Sequence, residues 1–236
     1  MTQIFGVTLV KNEDIFIERV LKNISDFCDE ILVLDNHSTD NTYEIVEGMT
    51  STYDNIHLMR WDNPANSGQA LEHLIGEDCW VFGVDGDEIY DPVGLSKMRE
   101  DILAGIYSDT FHLCGSSLHC NKITNDTMCR GWLDARPIGK LYNFSILDYW
   151  NQTERLHGQH GMKSGYEDKK IQFAEEKGGE YSWEESPLRC VHTCFLRRSS
   201  NDPEEVAPRK HPLGEVQWKE RKYVGKNLIK KQVNFI

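Results

Sequence analysis

Residues 79–88 read CWVFGVDGDE, an apolar run from Cys79 to Val84 that stops at Asp85, Gly86, Asp87 and Glu88. The run does not alternate, so it predicts a strand covered on both faces, and the change to acidic residues marks its carboxyl end. Upstream, residues 4–10 (IFGVTLV) and 30–36 (EILVLDN) are runs of the same kind, and residues 55–61 (NIHLMRW) predict a further strand. Between them the period changes. Ile17, Val20, Leu21, Ile24 and Phe27 recur at helical spacing, with Asn12 as the expected N-cap and Glu13 and Asp14 in the first turn. Residues 37–42 (HSTDNT) are rich in capping side chains and lead to a short helix through Ile45, Val46 and Met49. Asn63, Pro64, Asn66 and Gly68 form a loop before a helix around residues 70–75. Pro92 opens another helix, with Leu95, Met98, Ile102 and Leu103 on one face.

Strands alternating with helices imply an α/β fold with a mixed, mainly parallel central sheet flanked by helices. In such sheets ligands bind beyond the carboxyl ends of the strands. That rule selects residues 11–13, 35–38, 61–68 and 85–87, each of which ends or follows an expected strand. The second half is less regular. Residues 110–118 and 138–144 read as strands, 167–176 as a helix and 189–195 as a last strand. After residue 198 the chain is expected to be irregular before a short helix near its end.

A chain of 236 residues fits one large α/β domain, or one with a C-terminal extension. The net charge of −12 argues against nucleic acid as the main partner, because phosphate backbones need a basic face. The charge is uneven: residues 196–236 hold 10 Lys and Arg against 5 Asp and Glu. An acidic body with a basic tail suits a metal site beside a phosphate-bearing ligand, and equally a solvated tail. The tail would also allow peripheral contact with a membrane. No stretch has the length and apolarity of a membrane span. Residues 1–14 read as a first strand and not a signal peptide, so a cytoplasmic location with its seven cysteines reduced is the expectation.

Asp85 and Asp87, two apart at the end of a buried strand, can turn out of the sheet and share one hard cation. Mn2+ and Mg2+ favour carboxylate and phosphate oxygens, and such an ion neutralises a diphosphate leaving group. An acidic turn without metal is the simpler alternative. Residues 190–194 (CVHTC) set Cys190, His192 and Cys194 on one face of a strand. That pattern is compatible with a zinc site lacking an evident fourth ligand, or with a satisfied buried histidine.

VTLVKNE, EILVLDNHSTDNT and VFGVDGDEIYDP, in this order and spacing, resemble the N-terminal half of the family 2 glycosyltransferases with the GT-A (Rossmann-like) fold. The resemblance implies a metal-dependent, hexosyltransferase-like enzyme of polysaccharide biosynthesis. It would move a sugar from a nucleotide-sugar donor, a UDP-sugar foremost, to a glycan or lipid-linked glycan acceptor with inversion. It implies that residues 1–108 bind the donor, that 109–198 bind the acceptor within the same domain, and that 199–236 are a basic extension. Val10, Lys11 and Asn12 would line the nucleobase pocket, Asp35 would contact the base, and Gly68 would belong to the diphosphate loop. Asp85 would meet ribose or metal, Asp87 would ligate the metal, and His192 would complete the Mn2+ or Mg2+ site. The loop lysine usual in the family has no counterpart in RWDNPANSGQALE, where Arg60 lies early. GYEDKKI (residues 165–171) resembles the family's acceptor-side acidic motif. Asp168 is thereby implied as general base, with Glu167 second, and acids at a helix start are the plain alternative. Arg197, Arg198, Lys219, Arg221 and Lys222 could close over a diphosphate as a lid. Two other readings stay open: a catalytically degenerate nucleotide- or sugar-binding protein, and a nucleotidyltransferase, although KNED is the opposite of a glycine-rich basic loop.

Overall fold

In the computed structural model the unalternating apolar runs are the middle of one sheet. Residues 1–124, 128–133, 138–150, 160–162, 164, 183, 186–203 and 228–233 are described. β1 (Gln3–Val10) leads to α1 (Ile17–Ile24), β2 (Glu30–Asp35), α2 (Thr42–Thr50) and β3 (Ile56–Arg60). A 3-10 helical segment, Pro64–Leu74, precedes β4 (Cys79–Gly83), β5 (Glu88–Tyr90) and α3 (Pro92–Leu103). Then follow β6 (His112–Thr124), β7 (Met128–Leu133), β8 (Ile138–Asn143), β9 (Leu147–Trp150), β10 (His160–Met162), β11 (Arg189–His192) and β12 (Leu228–Gln232).

The sheet runs β12-β7-β6-β8-β4-β1-β2-β3. The strands β4, β1, β2 and β3 are parallel, as their βα connections require, and β8 joins β4 antiparallel. β11 lies between β5, to which it is antiparallel, and β6, to which it is parallel. The core has two faces. Ile17, Val20, Leu21 and Ile24 of α1 and Leu95, Met98 and Ile102 of α3 pack with Ile4, Ile31, Val33 and Phe82 on one face. Leu71, Leu74, Phe144, Ile146 and Trp150 cover Val7, Leu34 and Val81 on the other. Burial of these apolar side chains is the main source of stability. All seven cysteines are free and buried. Among the described residues no helix is long and apolar enough to cross a membrane.

Several local expectations change. Asn12 is not the N-cap of α1. It adopts φ 57°, which asparagine tolerates, and its Oδ1 accepts from the Thr39 N–H at 2.7 Å. The helix begins four residues further on, after a turn closed by Phe16 and Ile17 N–H groups on the Glu13 carbonyl. The stretch before β4 is 3-10 and begins at Pro64, with the Asn63 side chain accepting from the Ala65 N–H. Near the end, Leu228–Gln232 pairs with β7 as a strand, where a short helix was expected. The expected helix at 167–176 lies outside the described residues.

Candidate active site

The acidic turn is set by the strands on either side of it. The Val84 N–H donates to the Val7 carbonyl at 3.0 Å, which carries the β1–β4 pairing up to Asp85. Gly86 then lies against the end of β1. A Cβ there would stand 2.9 Å from Val10 Cγ1 and 3.3 Å from Glu13 Cγ, so only glycine fits without displacement. Asp85 is 63% exposed at the rim, whereas the Asp87 side chain is 1% exposed.

His192 reaches this turn through register. In the β5–β11 pair it stands opposite Glu88, one residue beyond Asp87, and the Thr193 N–H donates to the Asp87 carbonyl at 2.8 Å. Its Nε2 lies 3.1 Å from Asp87 Oδ1. The candidate ligand atoms of Asp85, Asp87 and His192 all fall within 4.8 Å of one another. Burial disfavours a charged imidazole, but the Asp87 carboxylate holds His192 well above the ordinary histidine range, so the site draws positive charge to itself. His192 Nδ1 is buried and has no hydrogen-bond partner among the described residues. Two carboxylates and an imidazole that gives up its proton fit Mn2+ or Mg2+, completed by phosphate or water oxygens.

Beside the turn is a cleft of about 780 Å³ whose lining includes Val10, Lys11, Asn12, Asn36 and Asp85 to Asp87. Lys11 Nζ is 3.4 Å from Asn36 Oδ1. Among the described residues, Asn12 and His37, which follow β1 and β2, are the non-glycine residues with positive φ, so both strand ends carry locally costly backbone, and Asn12 lines the cleft. Asp35 is fully buried. It pairs with Arg60 through Oδ2 and accepts the Ser38 N–H at 3.1 Å, while its Oδ1 has no hydrogen-bond partner among the described residues. Gly68 is buried within the 3-10 segment, and its neighbours Pro64 and Ser67 line the cleft.

Two basic residues not selected as donor ligands from sequence also line this cleft, Lys140 and Arg198. Lys140 comes from β8, which the antiparallel pairing lays along β4. Its Nζ sits 2.7 and 2.8 Å from the two oxygens of Glu88 and 3.9 Å from Asp85 Oδ2. Arg198 donates to Glu13 Oε1 at 2.5 Å and lies 3.4 Å from Asp87 Oδ2. Arg198 was grouped with a basic lid, but Lys140 carries no local motif, and only the sheet order finds it. Lys219, Arg221 and Lys222 lie outside the described residues, as do Asp168 and Glu167. Of the aromatic residues in the second half, Tyr142 and Trp150 pack with Phe144 in the core, and Tyr149 is 58% exposed.

The sequence pattern of glycosyl transferase family 2 matches residues 7–126. An uncharacterized glycosyltransferase of Rickettsia bellii is 27% identical over 156 residues, covering 63% of this chain and 49% of the relative. The SPbeta prophage-derived glycosyltransferase SunS of Bacillus subtilis is 28% identical over 152 residues, covering 58% of this chain and 35% of the relative. The chain thus spans about half or less of the length of these curated relatives. Among solved structures, S. aureus TarS superposes with a TM-score of 0.42 at 16% identity, over 80% of this chain and 57% of that one.

Proposed function

Because this chain belongs to glycosyl transferase family 2, we propose that it transfers a sugar from a nucleotide-sugar donor, a UDP-sugar foremost, to a hydroxyl of a glycan or lipid-linked glycan. The observation that carries the reading is the meeting of Asp85, Asp87 and His192 beside a polar cleft that also holds Lys140 and Arg198. Asp85, Asp87 and His192 would hold Mn2+ or Mg2+, which when bound offsets the charge of a diphosphate leaving group.

The chain's own residues supply the remainder. Val10, Lys11 and Asn12 border the space for the base together with Asn36, whereas Asp35, the proposed base contact, is fully buried and outside the cleft lining. Lys140 and Arg198, which line the cleft while paired with Glu88 and with Glu13 and Asp87, would supply the positive charge that the 61–68 loop lacks. In the transfer, an acceptor oxygen bonds to the anomeric carbon as the bond from that carbon to the phosphate oxygen breaks. The electron pair leaves with the nucleoside diphosphate, and the acceptor's proton goes to a carboxylate, Asp168 first and Glu167 second. Inversion, a cytoplasmic location and peripheral membrane contact through the basic tail belong to the same proposal.

Calorimetric titration of UDP, GDP and dTDP, with and without Mn2+, tests it on the wild type and on Asp87→Ala. Metal-dependent binding of one nucleotide, lost in the variant, is the expected result. A folded wild type that binds none of the three would overturn the donor site and favour a non-enzymatic protein.

A further inference from the structure

We propose that His119, His192 and Cys194 form a second metal site, selective for a soft or borderline ion of the zinc class, whose occupation antagonises Mn2+ or Mg2+ at Asp85, Asp87 and His192. The antagonism rests on the donor-site reading above, whereas the binding itself does not.

The three side chains come together through the sheet. The parallel β6–β11 register sets His119 directly opposite His192. Their ring centroids are 5.1 Å apart. Cys194 follows on the next turn, fixed by the Thr193 N–H on Asp87 and by the Leu196 N–H on Thr193, and its Sγ lies 3.5 Å from His119 Nδ1. One candidate ligand atom from each residue falls within 4.8 Å of the others. His119 and Cys194 are each 6% exposed and the His192 side chain 12%, so a bound ion would be shielded from water but not sealed off. β7 closes one wall. A Cβ at Gly131 would stand 2.0 Å from the His119 carbonyl oxygen, so the absence of a side chain there lets β7 approach. Cys190, the other thiol of the CVHTC stretch, is not part of the cluster; its Sγ lies 3.3 Å from Ser117 Oγ.

Donor chemistry separates the two sites. One thiolate and two imidazoles favour Zn2+ or Co2+ in a tetrahedral geometry with one open position. Two carboxylates and an imidazole favour the harder Mn2+ and Mg2+. His192 belongs to both sets. Its ring cannot serve both fully, and two dications around one neutral imidazole repel each other, so filling one site weakens the other.

Titration of the full chain with Co2+, read by absorption, tests the binding without any sugar transfer. The expected result is a near-ultraviolet thiolate-to-cobalt charge-transfer band at about one equivalent, abolished by Zn2+ and by Cys194→Ser and kept in Asp85→Asn. No band in the wild type, or an undiminished band in folded Cys194→Ser, would overturn the site. Should Cys194→Ser not fold, alkylation of the wild type mapped by mass spectrometry replaces it. Protection of Cys194 by Zn2+ supports the site and its absence refutes it. Antagonism is read separately by the electron paramagnetic resonance of free Mn2+. Equimolar Zn2+ is expected to weaken Mn2+ binding tenfold or more in the wild type and not in Cys194→Ser. Unchanged Mn2+ affinity with the cobalt band present would refute the antagonism. A cobalt band with no Mn2+ binding at all would sink the donor-site reading and leave the second site standing.

Discussion

Glu88 and Lys140 are 1% and 3% exposed, and two hydrogen bonds join them. Burial pushes the Lys140 ammonium toward its neutral form, but Glu88, with Asp85 behind it, raises its pKa above the ordinary lysine range. Removing one member of such a pair strands the other charge, which costs about 3–5 kcal/mol. Lys140→Met is therefore expected to lower stability by about that amount in guanidinium unfolding, and adding Glu88→Gln should restore most of it. A single variant within about 0.5 kcal/mol of wild type would show that the pair does not hold the turn. Glu88 also accepts from the Tyr90 hydroxyl at 2.9 Å and from the Asp85 N–H at 3.3 Å. One carboxylate thus ties the acidic turn, β5 and β8 together.

At the scale of elements, residues 196–203 clasp the N-terminal half. Ser199 Oγ donates to Asp40 Oδ2 at 2.6 Å, the Ser200 N–H to Asp14 Oδ1 at 2.7 Å, and Asn201 Nδ2 to the Thr39 carbonyl at 3.0 Å. Burial opposes the charged form of Asp40, yet the hydroxyls of Ser199 and Thr42 and backbone N–H groups hold its pKa below the ordinary aspartate value. A lowered folded pKa contributes stability that is complete above the unfolded pKa, about 3.9, and is lost as the pH falls through the folded one. Stability should therefore fall with acid below about pH 4, and Asp40→Asn should flatten that part of the curve. Unchanged acid sensitivity in the variant would mean that the clasp is not one of the acid-labile contacts.

The sequence made some elements plain and hid others for physical reasons. β1, β2 and β4 are buried runs without alternation, so residues 4–10, 30–36 and 79–84 stood out. β5 has three residues and is a strand only because β11 pairs with it. β12 (LIKKQ) carries two lysines and little apolar pattern. The site divides in the same way. Asp85 and Asp87 are adjacent in a motif, whereas Lys140 meets Glu88 across 52 positions and Arg198 meets Asp87 across 111, distances that no local pattern spans.

For the whole molecule, an ion at Asp85, Asp87 and His192 would join the parallel first half to the strand that returns from the second. A ligand that binds only the folded state stabilises it by mass action, by about 2.7 kcal/mol at a hundred times its Kd. Mn2+ at that level is expected to raise Tm, EDTA to reverse the rise, and Asp87→Asn to abolish it. An equal rise in the variant would place the ion elsewhere.

The clasp by residues 196–203 also has a consequence in time. Synthesis adds about 5–20 residues per second, so His192 follows Glu88 off the ribosome by about 5–20 s. During that interval β1 to β4 can pair, but the cleft lacks Arg198 and the acidic turn lacks His192. A nascent chain thus carries its carboxylates for seconds before the proposed metal and nucleotide sites can be complete.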